Sequence, residues 1–264
     1  MFEKQIQYAP VVPIPIAQQL KDQGELGNYH LLLAHDVVQQ PEAYADVYDD
    51  PNNFIIMDNS AVELQAPVDY EMLLEAGKIV NANCLVLPDH LLDSNATVTA
   101  HLEALDKLEG RWNNDYMALP QGESLGHWVA CAKDLLRLQD VKYFGIPRNV
   151  KEKLKVSRVI AATVLNMMDT DPDRRYHLFG FSDSLFDDLL TCATGKTTVG
   201  KIMGIDSTVP VRMGTNGVGL HPLQNDPGPR GDWWDNPGSM NGLVHQNLED
   251  IRNWVNYNTH IPVM

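Results

Sequence analysis

No apolar run in this chain approaches the roughly 20 residues that span a bilayer, so no membrane segment is expected. Cysteine is scarce too. Cys84, Cys131 and Cys192 stand far apart and none belongs to a Cys-x-x-Cys pair. That argues against a disulfide framework or a structural zinc site, and for reduced, buried thiols in a cytosol. Positive charge is also short, with 20 Lys and Arg against 35 Asp and Glu and a net charge of −15. Nucleic-acid binders usually carry a basic footprint, and a field of this sign opposes long-range capture of DNA or RNA. A polynucleotide partner would need a local basic patch. The first twenty residues lack a basic start followed by an apolar core, so no secretion signal is expected and the expected location is the cytoplasm.

What is present fits a folded enzyme. Hydrophobic residues make up 44% of the chain and charged residues 21%, ordinary for a globular protein and wrong for a disordered one. Short apolar runs alternate with segments of helical period. Strands are expected at 11–15, 30–35, 54–58, 84–88, 115–119, 141–146, 176–181 and 200–205. They read as continuous apolar runs, as strands buried on both faces do. Helices are expected at 69–81, at 95–109 behind a Ser94 cap, at 124–139 behind Ser124, at 149–168, at 184–193 and at 245–257. Eight strands with alternating helices predict one (β/α)8 TIM barrel over about 8–208, with an open doubly wound sheet as the competing α/β arrangement. From 209 the texture turns rich in Gly, Pro and Asn, which predicts a loop or lid on the same single domain, 1–264.

One pattern recurs at the expected strand ends: FIIMDNS (54–60), CLVLPDH (84–90), YMALPQG (116–122), YFGIPR (143–148), YHLFGFSD (176–183) and GKIMGIDST (200–208). In a barrel these ends form the active-site face. Three carboxylates, Asp58, Asp89 and Asp206, and the Gln121 amide would meet there. A single Asp after a strand is usually a turn or cap residue, but three in one cleft repel each other and cost stability unless used.

The wording and order of these motifs resemble the tRNA-guanine transglycosylase family, and more closely its short phage and bacterial relatives that place a 7-deazaguanine in DNA. The family's strand-end Asp-Ser pair is matched by Asp58-Asn59-Ser60, although Ala61 and Val62 replace the two glycines that follow. Asp89 matches its base-recognising aspartate, Gln121-Gly122 its Val-Gln-Gly turn, Gly145-Ile146 its Gly-Leu/Ile element, and His177-Leu178-Phe179-Gly180 its His-Leu-x-Gly strand. Gly204-Ile205-Asp206 matches the strand that ends in the nucleophile. The matches run from about 54 to 217. The resemblance implies a pentosyltransferase that replaces guanine with a 7-deazaguanine through a covalent aspartyl–sugar intermediate. It makes Asp206 the nucleophile and Asp58 the acid–base group. Asp89, Gln121, Gly122, Gly145, Ile146, Ser60, His177 and Met203 become the substrate-binding set, with no cofactor and no metal. Met203, Tyr143 or Phe179 would supply a stacking face, or simply pack the core.

The chain departs from the tRNA enzymes in lacking their C-terminal Cys/His zinc site and basic subdomain. That shifts the expected polymer from tRNA toward DNA, in a host cytoplasm if the chain is phage-encoded, with free 7-deazaguanine base as the second partner. An accessory protein or a second copy would supply any missing basic surface. A deazapurine nucleoside hydrolase, a tRNA-directed transglycosylase and a non-catalytic binding barrel in a base-modification complex remain the alternatives. In the extension, Arg230 beside Trp233 and Trp234 would stack unpaired bases, or the pair of tryptophans would plug the barrel. ATGKTT (193–198) lacks the first glycine of a phosphate loop, since Leu190 stands in its place. His90 beside Asp89 has no second histidine at ligand spacing. Arg148 is either a phosphate contact or a surface ion-pair partner.

Overall fold

The structure, a computed structural model, describes residues 5–181, 184–194, 200–223 and 232–256. Eight parallel strands follow one another around a nearly closed barrel: β1 (Gln7–Pro10), β2 (Tyr29–Leu33), β3 (Phe54–Asp58), β4 (Cys84–Val86), β5 (Asp115–Ala118), β6 (Val141–Pro147), β7 (Arg175–Phe179) and β8 (Ile202–Ser207). Ladders join β1 to β8 and then each neighbour down to β2, while β1 and β2 lie side by side without a ladder between them. This is the α/β TIM-barrel arrangement. A register shift between Tyr176 and His177 places His177 opposite Gly204 and leaves Met203 unpaired.

The strands are sandwiched between two apolar layers. Tyr29, Leu31, Leu33, Ile56, Cys84, Val86, Met117, Leu119 and Met203 fill the barrel. Alternate residues face a larger layer between strands and helices, around the fully buried Trp128. That double burial is why the strands read as unbroken apolar runs. Gly77 lies on α5 (Tyr70–Ile79) where a Cβ would come 2.7 Å from Leu85, so this helix sits close on β4 because it has no side chain there.

Several elements differ from the sequence expectation. Residues 11–15 are not a strand. The first strand is β1, and the prolines at 13 and 15 start α1 (Ile14–Asp22), where a missing amide proton costs nothing. The cap of α6 (Ser94–Leu108) is Asp93, whose carboxylate accepts the Ala96 N–H at 3.0 Å, so Ser94 is already helical. Ser124 does cap α7 (Leu125–Leu135), accepting the His127 N–H at 3.3 Å. The helix expected over 149–168 is two, α8 (Asn149–Glu152) and α9 (Arg158–Met168), separated by Lys155 at φ 57. The expected loop from 209 opens with a buried helix, α11 (Val209–Thr215), with Pro210 in its first turn. It lies under α12 (Gly242–Asn256), and Asn247 ties the two by donating to the Pro210 and Val218 carbonyls at 2.9 and 3.0 Å. Short helices α2 (Ala34–Gln39), α3 (Pro41–Tyr48) and α4 (Ala61–Leu64) were too brief to show a period. Helix α10 (Leu185–Thr194) matches its expected place. Among the described residues no helix is long and apolar enough to cross a membrane.

Candidate active site

Asp206 is the next-to-last residue of β8 and points into the barrel mouth, 7% exposed. Two donors converge on its Oδ1: His177 Nε2 at 3.0 Å and the Gly180 backbone N–H at 2.9 Å. Gly180 supplies that N–H from a left-handed turn, φ 62, which glycine adopts without strain. The other nitrogen of His177, Nδ1, lies 2.7 Å from the Tyr29 hydroxyl. A carboxylate only accepts, so Nε2 carries the proton that faces Asp206. In the neutral ring Nδ1 is then the acceptor, and Tyr29 donates to it. Burial pushes the Tyr29 phenol well above its usual range, with the Asp206 charge adding to the effect, so Tyr29 keeps its proton. Tyr29, His177 and Asp206 thus form one directional chain from β2 through β7 to β8. Oδ2 of Asp206 takes no hydrogen bond among the described residues.

The chain depends on a missing side chain. A Cβ on Gly204 would sit 2.5 Å from the Tyr29 ring and hydroxyl. Gly204 is therefore the gap through which the phenol reaches His177.

A second network crosses the other half of the mouth. Asp89, fully buried, accepts from Asn59 Nδ2 at 2.7 Å and from Gln121 Nε2 at 2.6 Å. Asn59 also donates to the Leu87 carbonyl and accepts the Ala61 N–H, both at 2.9 Å. The Gln121 oxygen accepts from Asn149 Nδ2 at 2.8 Å and the Leu92 N–H at 3.3 Å. The ends of β3, β4, β5 and β6 are laced together this way. Burial raises the Asp89 carboxyl to about 6, against the pull of its two amide donors.

Asp58, the last residue of β3, stands between the networks, 8% exposed. Its Oδ2 accepts the Ser60 N–H at 3.1 Å. Burial raises its carboxyl well above the usual range, and the charges of Glu63, Asp89 and Asp206 add to that. Ser60 sits at φ 62, and its hydroxyl lies 3.4 Å from the His35 N–H. A non-glycine residue in that region is uncommon and strained. It turns the chain sharply behind Asp58.

The remaining expected residues divide by position. Gly122 is pressed against α7, where a Cβ would meet Trp128 N at 2.4 Å. Gly145 lies under Leu119 and Phe179, 2.2 and 2.5 Å from its would-be Cβ. Phe179 stands at the end of β7, edge-on to His177 at 5.0 Å, and is half-buried at the mouth. Ile146 faces the opposite way, into the layer between barrel and helices, so only its backbone faces the strands. Met203 packs inside the barrel three residues before Asp206, about 10 Å down the strand. Tyr143 sits low in the barrel, edge-on to Phe54 at 5.6 Å. Of the three aromatic and thioether candidates, Phe179 alone stands at a strand's C-terminal end.

Trp233 is buried, 6.1 Å from Trp234, and donates to Thr215 Oγ1 at 2.9 Å. Trp234, half-buried, packs against both apolar layers. The pair plugs the fold here. Arg230, and most of ATGKTT, lie outside the described residues. His90 is exposed. Among the described residues no three His, Cys, Asp or Glu side chains are placed to hold a metal ion.

Sequence reasoning missed Tyr29 and Asn149 as parts of this site, and Arg158 beneath it; it named Gly180 and Gly204 only inside their motifs, without the N–H that holds Asp206 or the gap that admits Tyr29. Arg158, fully buried, donates to the Phe179 and Gly180 carbonyls at 3.0 and 2.8 Å and pairs with the equally buried Asp188. No family model matches the chain, and no curated protein is similar to it.

Proposed function

We propose that the protein is a base-exchange pentosyltransferase that replaces guanine with a 7-deazaguanine derivative in a nucleic acid, DNA ahead of tRNA. The observation that carries this reading is the orientation of Asp206. Its Oδ1 is pinned by His177 and Gly180, while Oδ2 takes no hydrogen bond among the described residues. A carboxylate held that way suits attack on the anomeric carbon of a sugar, where the transition state is oxocarbenium-like.

In the first step the Asp206 Oδ2–C1′ bond forms as the C1′–N9 bond of guanine breaks. The departing purine takes a proton from Asp58, whose raised carboxyl favours the protonated form needed of a general acid. In the second step the incoming base gives its ring N–H proton to Asp58 and attacks C1′, and the Asp206–C1′ bond breaks. Two inversions retain the sugar configuration. Phe179, above Gly145, offers the ring face on which a purine can stack. Asp89, closed off by Asn59 and Gln121, organises the recognition wall and meets the base after those amides rearrange.

The test is mass spectrometry of nucleosides digested from DNA and from tRNA after incubation with the protein and 7-cyano- or 7-aminomethyl-7-deazaguanine. Incorporation into DNA by the unmutated protein and none by Asp206→Asn is the expected result. Release of free base without incorporation would replace the proposal with nucleoside hydrolysis. No reaction in either polymer, with a folded protein, would refute it as a stand-alone enzyme.

A further inference from the structure

The acidic mouth needs a way to hold a polyanion, and the net charge of −15 works against it. Beyond about 8–10 Å in ordinary salt, however, that field is screened, and local charge decides. One stretch at the mouth has the opposite sign. β6 ends in Gly145-Ile146-Pro147, and Arg148, Lys151, Lys153 and Lys155 follow within eight residues, with Glu152 the sole acid among them. We infer that this run, on and just after α8, is the docking site for the phosphodiester backbone of a nucleic-acid strand whose target nucleotide enters the barrel. The inference deepens the base-exchange reading and rests on it for the nature of that nucleotide.

Three observations converge. The first is position. The Arg148 stem lies against Gly180, 3.4 Å from where a Cβ would be, and Gly180 is the residue whose N–H holds Asp206. The neighbouring Asn149 holds Gln121. The basic run is therefore tied to both halves of the site. The second is availability. Arg148 and Lys151 reach their nearest acids, Glu152 and Asp187, only at 3.8 and 4.0 Å, contacts that are worth little at the surface. Lys153 and Lys155 are exposed and make no ion pair among the described residues. Some exposed cations elsewhere are claimed more closely, Arg111 by Glu71 at 2.6 Å and Arg137 by Asp134 at 3.1 Å, while Lys133 and Lys142, far from the mouth, are exposed like Lys153 and Lys155 and serve as the control. The third is backbone form. Lys155 at φ 57 breaks the chain between α8 and α9, so the basic run lies on a four-residue helix and the turn after it, not along one long helix.

A site of this kind reads charge and not bases, so its signature is salt dependence. The experiment is fluorescence anisotropy of the full-length protein with a labelled 12-nucleotide single-stranded DNA over a range of salt. It compares the wild type, Lys153→Gln/Lys155→Gln, and a control of equal charge change away from the mouth, Lys133→Gln/Lys142→Gln. Losing two phosphate contacts should lower the slope of log K against log salt by about 1.4, equivalent to about 60-fold weaker binding at 50 mM salt. The control should keep the wild-type slope. An RNA strand of the same sequence shows which polymer is preferred, and a preference of either kind that disappears in Lys153→Gln/Lys155→Gln supports the site. No binding by the wild type, or equal loss in both double variants, would overturn the inference. Calorimetric binding of the free deazaguanine base separates the two proposals. It should be unchanged in Lys153→Gln/Lys155→Gln, and its absence in the wild type would count against the exchange reading while leaving the docking site intact.

Discussion

His30 offers the sharpest physical test of the structure. It is buried on β2, edge-on to Tyr48 at 5.0 Å, and neither ring nitrogen meets a partner at hydrogen-bonding geometry. Burial lowers its pKa from 6.5 to about 4, with the Asn53 side chain offsetting part of the effect. The sign follows from linkage. As pH falls through 6.5 the unfolded chain takes a proton that the native state refuses, so stability drops until about pH 4 and levels off below. The full loss is about 3.4 kcal/mol at 1.36 kcal/mol per unit, of which about 1.8 falls between pH 7 and pH 5. His101, lowered to about 4 as well, adds a loss of the same sign. Asp89, raised to about 6, works in the opposite direction below pH 6. The wild-type curve is therefore a sum, and His30→Phe isolates one part of it. Phenylalanine keeps the ring against Tyr48 and removes the titration. Urea unfolding at pH 7 and pH 5 should show His30→Phe losing about 1.8 kcal/mol less than the wild type between the two. With an m-value of about 3 kcal/mol/M, that is a midpoint difference of about 0.6 M. If both proteins lose the same amount within about 0.5 kcal/mol, His30 is hydrated or paired, and its burial against Tyr48 is wrong.

Gly204→Ala should push Tyr29 off His177, lower stability by about 1–3 kcal/mol, and shift the nitrogen NMR signals of the His177 ring away from those of the wild type, where a proton on Nε2 and a bare Nδ1 are expected. Tyr29→Phe should give the same spectroscopic change with a loss of stability in the same range, about 1–3 kcal/mol, from the unpaired Nδ1; an unchanged tautomer would break the chain as described. Arg158→Met should cost about 3–5 kcal/mol because it takes the cation away from the buried Asp188 carboxylate, and adding Asp188→Leu should recover part of it, the Arg158 bonds to backbone carbonyls staying lost. Asp58→Asn should abolish exchange while leaving the melting temperature unchanged or higher, because it removes a carboxylate that burial disfavours.

The barrel was legible because its strands are buried on both faces, which writes continuous apolar runs into the chain. Seven strands overlap their expected places. The first does not, because Val11 and Val12 look like a strand interior, while the prolines beside them start a helix. Asp58, Asp89, Gln121 and Asp206 were legible for a related reason: each is the polar residue that ends or follows an apolar run. Tyr29 was not. It opens a strand as any aromatic might, and its partner His177 is 148 residues away. Gly204 carries meaning only once the Tyr29 ring lies across it. Arg158 falls in the middle of the helix expected over 149–168, with nothing to mark it as buried, and only Asp188, on another helix, explains its burial.

The ladder order has a consequence for how the chain comes into being. β1 pairs only with β8, with Gln7 opposite Gly204, and the Ile6 backbone exchanges hydrogen bonds with Asn256 at 2.8 and 2.9 Å. A ribosome adding 5–20 residues per second makes those partners roughly 10–50 s after the first strand is made. Throughout that interval the first strand has no ladder to join. The order of synthesis thus runs against the order of closure, since α12, whose Asn256 lies 250 residues beyond Ile6, is the helix that fastens β1.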